Sequence, residues 1–338
     1  MSSRIAVLGA GSWGTALAIA AAHNGHEVRL WARRAEAAAE IARTRRNDPY
    51  LPEAEIPAGV AVTSDLDAAI DRAGLWLIAV PSQTVRAVVA PLADRVDRGL
   101  VVVSAAKGIE NETLLTTSAV LRDVLPSADP DRIGVLYGPS HAEEVALGRP
   151  TSVVAAFPSA AVAAEVQALF MRPTLRVYAN TDLIGVEIGG SVKNVMAVAA
   201  GMSDGLGLGD NAKAALVTRG LAEITRLGTA MGARPDTFAG LAGLGDLVVT
   251  CFSRHSRNRG FGERVGRGET TGEALGHSTM VVEGVRTTES VRQLAERHGV
   301  EMPITEAVSA ILFDGLDPAA AVGRLMERDA TVEGEEAG

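Results

Sequence analysis

The chain has 338 residues, 47% apolar and only 4% aromatic, with 32 Lys and Arg against 41 Asp and Glu and a net charge of −9. That length exceeds what one hydrophobic core usually serves, so two domains are expected. The negative balance disfavours nucleic acid or an anionic membrane as the main partner, while local arginine clusters leave an anionic small molecule open. The lone cysteine, Cys251, excludes an internal disulfide and points to a reducing, cytoplasmic compartment.

The first element is an apolar run, Ile5 to Leu8, that reads as a buried parallel strand. It leads into Gly9-Ala10-Gly11-Ser12-Trp13-Gly14 and then a helical segment, Thr15 to Asn24. Strand, GxGxxG and helix in that order form the dinucleotide fingerprint. Gly9 permits the tight turn, Gly11 lets the backbone approach a pyrophosphate, and Gly14 lets the helix pack on the strand. The helix start supplies free amides and a positive dipole end. Arg4 followed by the apolar Ala16 to Ala22 imitates a secretory signal, but the glycines fall inside it and that reading is rejected. No run approaches the ~20 apolar residues of a membrane span, so no stable membrane insertion is expected.

Further strands are expected at Val28–Trp31, Leu75–Val80, Leu100–Ser104, Ile133–Leu136 and Thr151–Ala155, with helices between most of them, notably Ala35–Arg43 and Gln83–Val89. This alternation predicts an α/β fold, an N-terminal Rossmann-type doubly wound parallel sheet. Near Asn180 the periodicity turns helical and stays so. Asp182 reads as the cap of a helix through about Met202, Asp210 or Asn211 as the cap of the next, and Asp317-Pro318 as the start of the last. The expected organisation is a dinucleotide-binding domain over 1–181, an all-helical substrate domain over 182–330 and a disordered acidic tail over 331–338. The apolar helices of the second domain are compatible with a homodimer or with a self-contained core.

The second strand ends in Ala32-Arg33-Arg34, with no acid to meet a ribose 2′-hydroxyl. Two guanidiniums there can pair with a 2′-phosphate, so NADPH is expected to be preferred and NADH accepted, with FAD disfavoured. Solvated charges at a helix start are the alternative.

Lys193 sits in an apolar helix, Gly189 to Gly201, where burial would move an amine toward neutrality and suit it to exchange a proton with an alcohol. A lysine snorkelling from a helix edge is the plainer alternative. Lys107 follows a strand's C-terminal end, where ligands of open sheets gather. Ser140 and Glu143 have capping-box spacing. Gly243-Leu-Gly-Asp246 leads to Thr250 and then to His255-Ser256-Arg257-Asn258; Asp246 suits orienting Lys193 or accepting from a substrate hydroxyl, Arg257 and Asn258 suit a phosphate or the carbonyl end of a substrate, and a cap, a turn or a solvated charge is the plainer alternative for each. The six histidines lack metal-ligand spacing, so no metal is expected. Cys251 reads as an inert buried thiol.

These motifs occur together in order, with Asn47 to Pro52, Val80 to Ser82 and Gly138 to Glu144 among them. From about residue 4 to residue 328 the chain resembles bacterial NAD(P)-dependent glycerol-3-phosphate dehydrogenase. The resemblance implies reversible reduction of dihydroxyacetone phosphate to sn-glycerol 3-phosphate for glycerophospholipid synthesis. It implies Lys193 as general acid and base. It places Lys107, Gly138, Ser140, Asp246, Ser256, Arg257 and Asn258 against substrate. Ser12, Trp13, Arg33, Arg34, Tyr50, Lys107, Ala142, Arg257, Val281 and Glu283 would line the cofactor. Ala106 and His141 depart from the usual Thr and Phe without removing a proposed chemical group. Two rivals stand at this point: a dehydrogenase of the same plan acting on a hydroxy or sugar acid, and a catalytically silent NAD(P) sensor.

Overall fold

The computed structural model describes residues 3–278 and 280–327; the expected disordered tail lies outside them. The chain opens with β1 (Arg4–Leu8), α1 (Ser12–His23), β2 (Glu27–Trp31) and α2 (Ala35–Thr44). A small hairpin of β3 (Arg46–Asn47) and β4 (Leu51–Glu55) precedes β5 (Val60–Thr63), α3 (Leu66–Ile70) and β6 (Leu75–Ile78). Next come α4 (Val85–Val89), β7 (Val101–Ser104), α5 (Thr117–Val124), β8 (Ile133–Tyr137) and α6 (Ala142–Ala146). The sheet closes with β9 (Thr151–Ala156), α7 (Ala160–Phe170) and β10 (Leu175–Asn180).

The eight-stranded sheet has the order β10-β9-β8-β7-β6-β1-β2-β5. From β5 to β8 every pair is parallel, the doubly wound arrangement that puts the strand ends of β1, β6, β7 and β8 along one edge. The strand expected at Thr151–Ala155 is present, but it runs antiparallel to β8, and β10 pairs with it in parallel. The connection over 138–150 holds only the five-residue α6, too little to carry the chain back to the opposite edge. An apolar run buried on both faces carries no mark of direction, so the sequence pattern could not separate the two arrangements.

The remainder is helical: α8 (Leu183–Gly205), α9 (Gly209–Ala230), α10 (Pro235–Phe238), α11 (Asp246–Phe252), α12 (Arg257–Gly266) and α13 (Thr271–Gly276). They are followed by α14 (Glu283–His298), α15 (Pro303–Asp314) and α16 (Pro318–Met326). α8 is the axis, with α9, α11, α12 and α14 packed around it. Its length and hydropathy would suit a membrane span, contrary to the expectation that no run comes near one, but 94% of that stretch is buried in protein. Such an apolar helix is a core helix. The contact with α12 is backbone-close. A Cβ on Gly201 would lie 2.0 Å from the Arg259 carbonyl oxygen, and one on Gly262 2.0 Å from that of Val198.

Asp182 caps α8 as expected, accepting from Gly185 N at 3.0 Å, and also accepts from Arg234 N at 2.9 Å and Thr237 Oγ1 at 2.6 Å. Asp317 caps α16 through Ala320 N at 2.9 Å. Neither Asp210 nor Asn211 caps α9. That helix starts earlier, with Leu208 at its cap, because Gly207 and Gly209 take positive φ and turn the chain there. Asp210 falls in the first turn, where a carboxylate still meets the positive end of the helix.

Candidate active site

A cleft of about 920 Å³ runs along the C-terminal edge of the sheet to the face of α8, α11 and α12. At one end β1 feeds the glycine turn. Gly9 takes φ +124°, and a Cβ there would lie 2.6 Å from the Ala79 carbonyl oxygen. A Cβ on Gly14 would lie 1.9 Å from Gly9 O, so both glycines are demanded by packing. Gly11 is different: a Cβ there meets nothing within 4 Å, and the backbone faces open space. Gly11 caps α1 without a side-chain bond, so the first amides of the helix stay available. Trp13 Nε1 is buried without an acceptor. A buried donor of that kind calls for a partner, and a dinucleotide across the glycine turn fits it. Asn47 donates to Ala10 O at 2.9 Å and Thr15 Oγ1 at 2.8 Å, tying the segment that carries Tyr50 to the cleft wall.

Arg33 and Arg34 follow β2, line the cleft and are exposed. Among the described residues neither guanidinium has an ion pair or hydrogen bond within the chain, so both are free to meet an anion. No carboxylate stands at the end of β2 itself, where Trp31 is followed by Ala32.

The other end is built on one carboxylate. Asp246, 1% exposed, opens α11; its Oδ1 accepts from Lys193 Nζ at 2.5 Å and its Oδ2 from Lys107 Nζ at 2.6 Å. Lys107 also donates to the Gly138 carbonyl at 2.9 Å. Lys193 also donates to Thr250 Oγ1 at 2.5 Å, and that hydroxyl donates onward to Asp246 O at 2.6 Å. The two lysines come from different parts of the chain, the loop after β7 and the middle of α8. Burial brings Lys193 down from 10.5 to about 8, and Lys107 adds to the lowering while Asp246 opposes it. At neutral pH Lys193 is therefore a cation close to giving up its proton, in contact with the cleft.

Ser256 caps α12, accepting from Arg259 N at 3.2 Å. Arg257 is exposed and donates to Val281 O at 3.2 Å. Asn258 donates to Asn194 Oδ1 and accepts from Gly284 N, both at 2.9 Å, so its amide is largely committed to joining α8, α12 and α14. Glu283 lines the cleft, but its oxygens accept from Ser82 N at 3.1 Å and Ser82 Oγ at 2.6 Å, and burial pushes its carboxyl up. Ala142, the first residue of α6, and Ser140 lie in the cleft wall. The expected capping box at Ser140 and Glu143 does not form. The helix starts at Ala142 with His141 at its cap, and Ser140 Oγ instead donates to Gly138 O at 2.9 Å. A capping box missed from the sequence joins Thr270 and Glu273 at the start of α13. Cys251 is fully buried and burial pushes its thiol up to about 12, which makes it inert.

Thr250 belongs to this network, a role the sequence reading does not assign to it. Its signal was available: it stands four residues after Asp246 in a helix, and such pairs share a face. His141 Nε2 is buried without a partner, and its ring lies 5.7 Å from that of His255 at the cleft wall.

Two family models match nearly end to end. The NAD-dependent glycerol-3-phosphate dehydrogenase N-terminus covers residues 4–163, and the corresponding C-terminus covers 182–323. A glycerol-3-phosphate dehydrogenase (NAD(P)+) of Salinibacter ruber is 60% identical over 331 residues, 98% of this chain and 97% of that protein. The enzyme of that name from Moorella thermoacetica is 52% identical over 335 residues, 99% of each. The crystal structure of glycerol-3-phosphate dehydrogenase from Coxiella burnetii superposes with a TM-score of 0.92 at 40% identity, covering 97% of this chain and 99% of that one. With the fold, the open glycine turn and these matches in agreement, the chain belongs to the family of NAD(P)-dependent glycerol-3-phosphate dehydrogenases.

Proposed function

We propose that the enzyme catalyses the reversible reduction of dihydroxyacetone phosphate to sn-glycerol 3-phosphate, with Lys193 as general acid and base. The observation that carries this reading is the convergence of Lys193 and Lys107 on the two oxygens of the buried Asp246 beside the cleft. Bound NADPH or NADH supplies the hydride that adds to the ketone carbon. Lys193 Nζ then gives a proton to the carbonyl oxygen as negative charge develops there, and recovers one from solvent; in the reverse direction the neutral amine takes the alcohol proton. A cation at that oxygen also lowers the barrier electrostatically. Asp246 holds the amine in place and Thr250 occupies a second of its donors, leaving the third for substrate. Lys107, on the other oxygen of Asp246, would share the carbonyl end of the substrate.

Arg257, exposed at the start of α12, is the proposed grip on the substrate phosphate, with the helix's first amides beside it. Ser256 and Asn258 serve by fixing that turn. Binding energy from the distant phosphate then keeps the ketone in line for transfer. Arg33 and Arg34 favour NADPH through its 2′-phosphate. The product would feed glycerophospholipid synthesis in the cytoplasm, as the family resemblance implies. The test is loss of reduced-nicotinamide absorbance on adding dihydroxyacetone phosphate, with NADPH and NADH compared. A higher kcat/KM with NADPH supports the arginine reading; equal use of both removes it. A hydroxy-acid substrate turned over faster than the phosphate would refute the substrate assignment.

A further inference from the structure

Behind the two lysines, away from the cleft, lies a polar cluster that no step above uses. Its centre is Glu187 of α8, 1% exposed. Its Oε1 accepts from Ser118 N at 2.8 Å, and its Oε2 accepts from Ser118 Oγ at 2.6 Å and Thr116 Oγ1 at 2.9 Å. Thr117 Oγ1 lies 3.2 Å from Glu187 Oε1 and 3.0 Å from the Tyr137 hydroxyl, and shares its single proton between them. Tyr137 in turn donates to the carbonyl of Ala106. The start of α5, which has no side-chain cap of its own, is thus capped by a carboxylate from the helical part of the chain.

The two ends of this cluster are significant. Ala106 directly precedes Lys107, and Tyr137 directly precedes Gly138, whose carbonyl accepts from Lys107. Glu187 stands six residues before Lys193 on one unbroken helix, about 9 Å along its axis. Gly190 lies between them, and a Cβ there would sit 2.6 Å from Tyr137 Cδ2, so α8 is pressed against β8 at this point. One carboxylate therefore ties the helix carrying Lys193 to both the strand end and the loop that hold Lys107.

We propose that Glu187 is a positioning residue for the reaction: it sets the placement of α8 against the sheet so that Lys193 and Lys107 meet on Asp246. The inference rests on the reading of Lys193 as proton donor. Ser118, Thr116 and Thr117 present hydroxyls that can reverse, so a glutamine can be accommodated, with its oxygen facing Ser118 N and its amide facing the hydroxyls. An alanine leaves the start of α5 and the buried hydroxyls without partners.

The experiment compares Glu187→Gln, Glu187→Ala and Lys193→Ala in the full chain, below the unfolding temperature of each. Steady-state kinetics in both directions and NADPH binding by fluorescence are measured, with kcat followed against pH. Glu187→Ala should lower kcat at least tenfold, keep NADPH affinity within twofold and move the alkaline limb of kcat by half a pH unit or more. Glu187→Gln should stay within about threefold of wild type. A folded Glu187→Ala enzyme with kcat within twofold, or one whose kcat loss is matched by lost NADPH affinity, overturns the proposal. Should Glu187→Ala not fold, Thr116→Val removes one donor at a half-buried position; a threefold or greater fall in kcat at unchanged NADPH affinity supports the proposal, and an unchanged kcat overturns it. Lys193→Ala separates the two ideas. Turnover retained there refutes the proton-donor reading whatever Glu187 does, whereas its loss beside an unaffected Glu187→Ala enzyme refutes only the positioning role.

Discussion

Replacing Lys193 by alanine, together with the pH profile of the unaltered enzyme, tests the chemistry most directly. General acid catalysis contributes about 10²–10⁴-fold, so Lys193→Ala should lose about 3–5 kcal/mol of transition-state stabilisation. NADPH affinity should hardly change, because the open glycine turn, Trp13 and the two cleft arginines lie at the other end of the cleft. Asp246 keeps Lys107 at 2.6 Å, so the variant does not strand a buried carboxylate. In the unaltered enzyme the sign follows from burial, which lowers Lys193 to about 8. With Lys193 as the proposed acid and base, ketone reduction would need the ammonium, so kcat should fall about tenfold per pH unit above that value, whereas alcohol oxidation would need the neutral amine and should rise to a plateau there. An unperturbed lysine would remain almost wholly protonated through pH 9. Stability should move in a linked way: between about 8 and 10.5 the unfolded chain holds a proton that the folded chain has lost, so this group adds stability as pH rises through that window. The profiles are read by stopped-flow absorbance at saturating substrate, with binding by fluorescence titration. Turnover of Lys193→Ala within tenfold of wild type, or a reductive kcat flat to pH 9.5, would refute the reasoning.

Three further outcomes are expected. Arg257→Ala should raise KM for the phosphate substrate by about 10–100-fold, the worth of one charge-assisted contact of ~1.5–3 kcal/mol, with kcat changed much less; an unchanged KM in steady-state assays contradicts the phosphate grip. Replacing Arg33 and Arg34 together by alanine should weaken NADPH binding at least tenfold and leave NADH binding within twofold, as titration calorimetry would read it; equal losses for both cofactors point to local unfolding rather than 2′-phosphate recognition. Asp182→Ala strips the α8 cap and two further donors at 2.9 and 2.6 Å. It should cost about 2–3 kcal/mol in urea unfolding, and a midpoint unmoved from wild type would show that the cap carries no net weight.

How much was legible beforehand differs from element to element. The glycine turn could be read from its spacing: Gly9 takes a positive φ, Gly14 packs against Gly9 O, and Gly11 leaves open space. The caps at Asp182 and Asp317 were likewise readable. The edge strand β10 was missed because its inward Leu175 and Val177 alternate with outward Arg176 and Tyr178, unlike the continuous apolar runs of the central strands. Ser140 deceived because capping-box spacing says nothing of where the backbone turns, and here the turn comes one residue later, at His141.

By itself the sequence determined whatever depends on neighbours along the chain: the strand–glycine–helix unit, the missing acid after β2, the helical character beyond residue 182, and an amine set in an apolar helix. The direction of β9, the union of Lys107 and Lys193 on Asp246, and the clamp of Glu187 on α5 belong to the tertiary structure alone. The contacts on Asp246 and at Glu187 join residues 53 to 139 positions apart. Only the packing of α8 against the sheet and α11 brings such groups within bonding distance, and only burial there turns an ordinary lysine into one that titrates near 8.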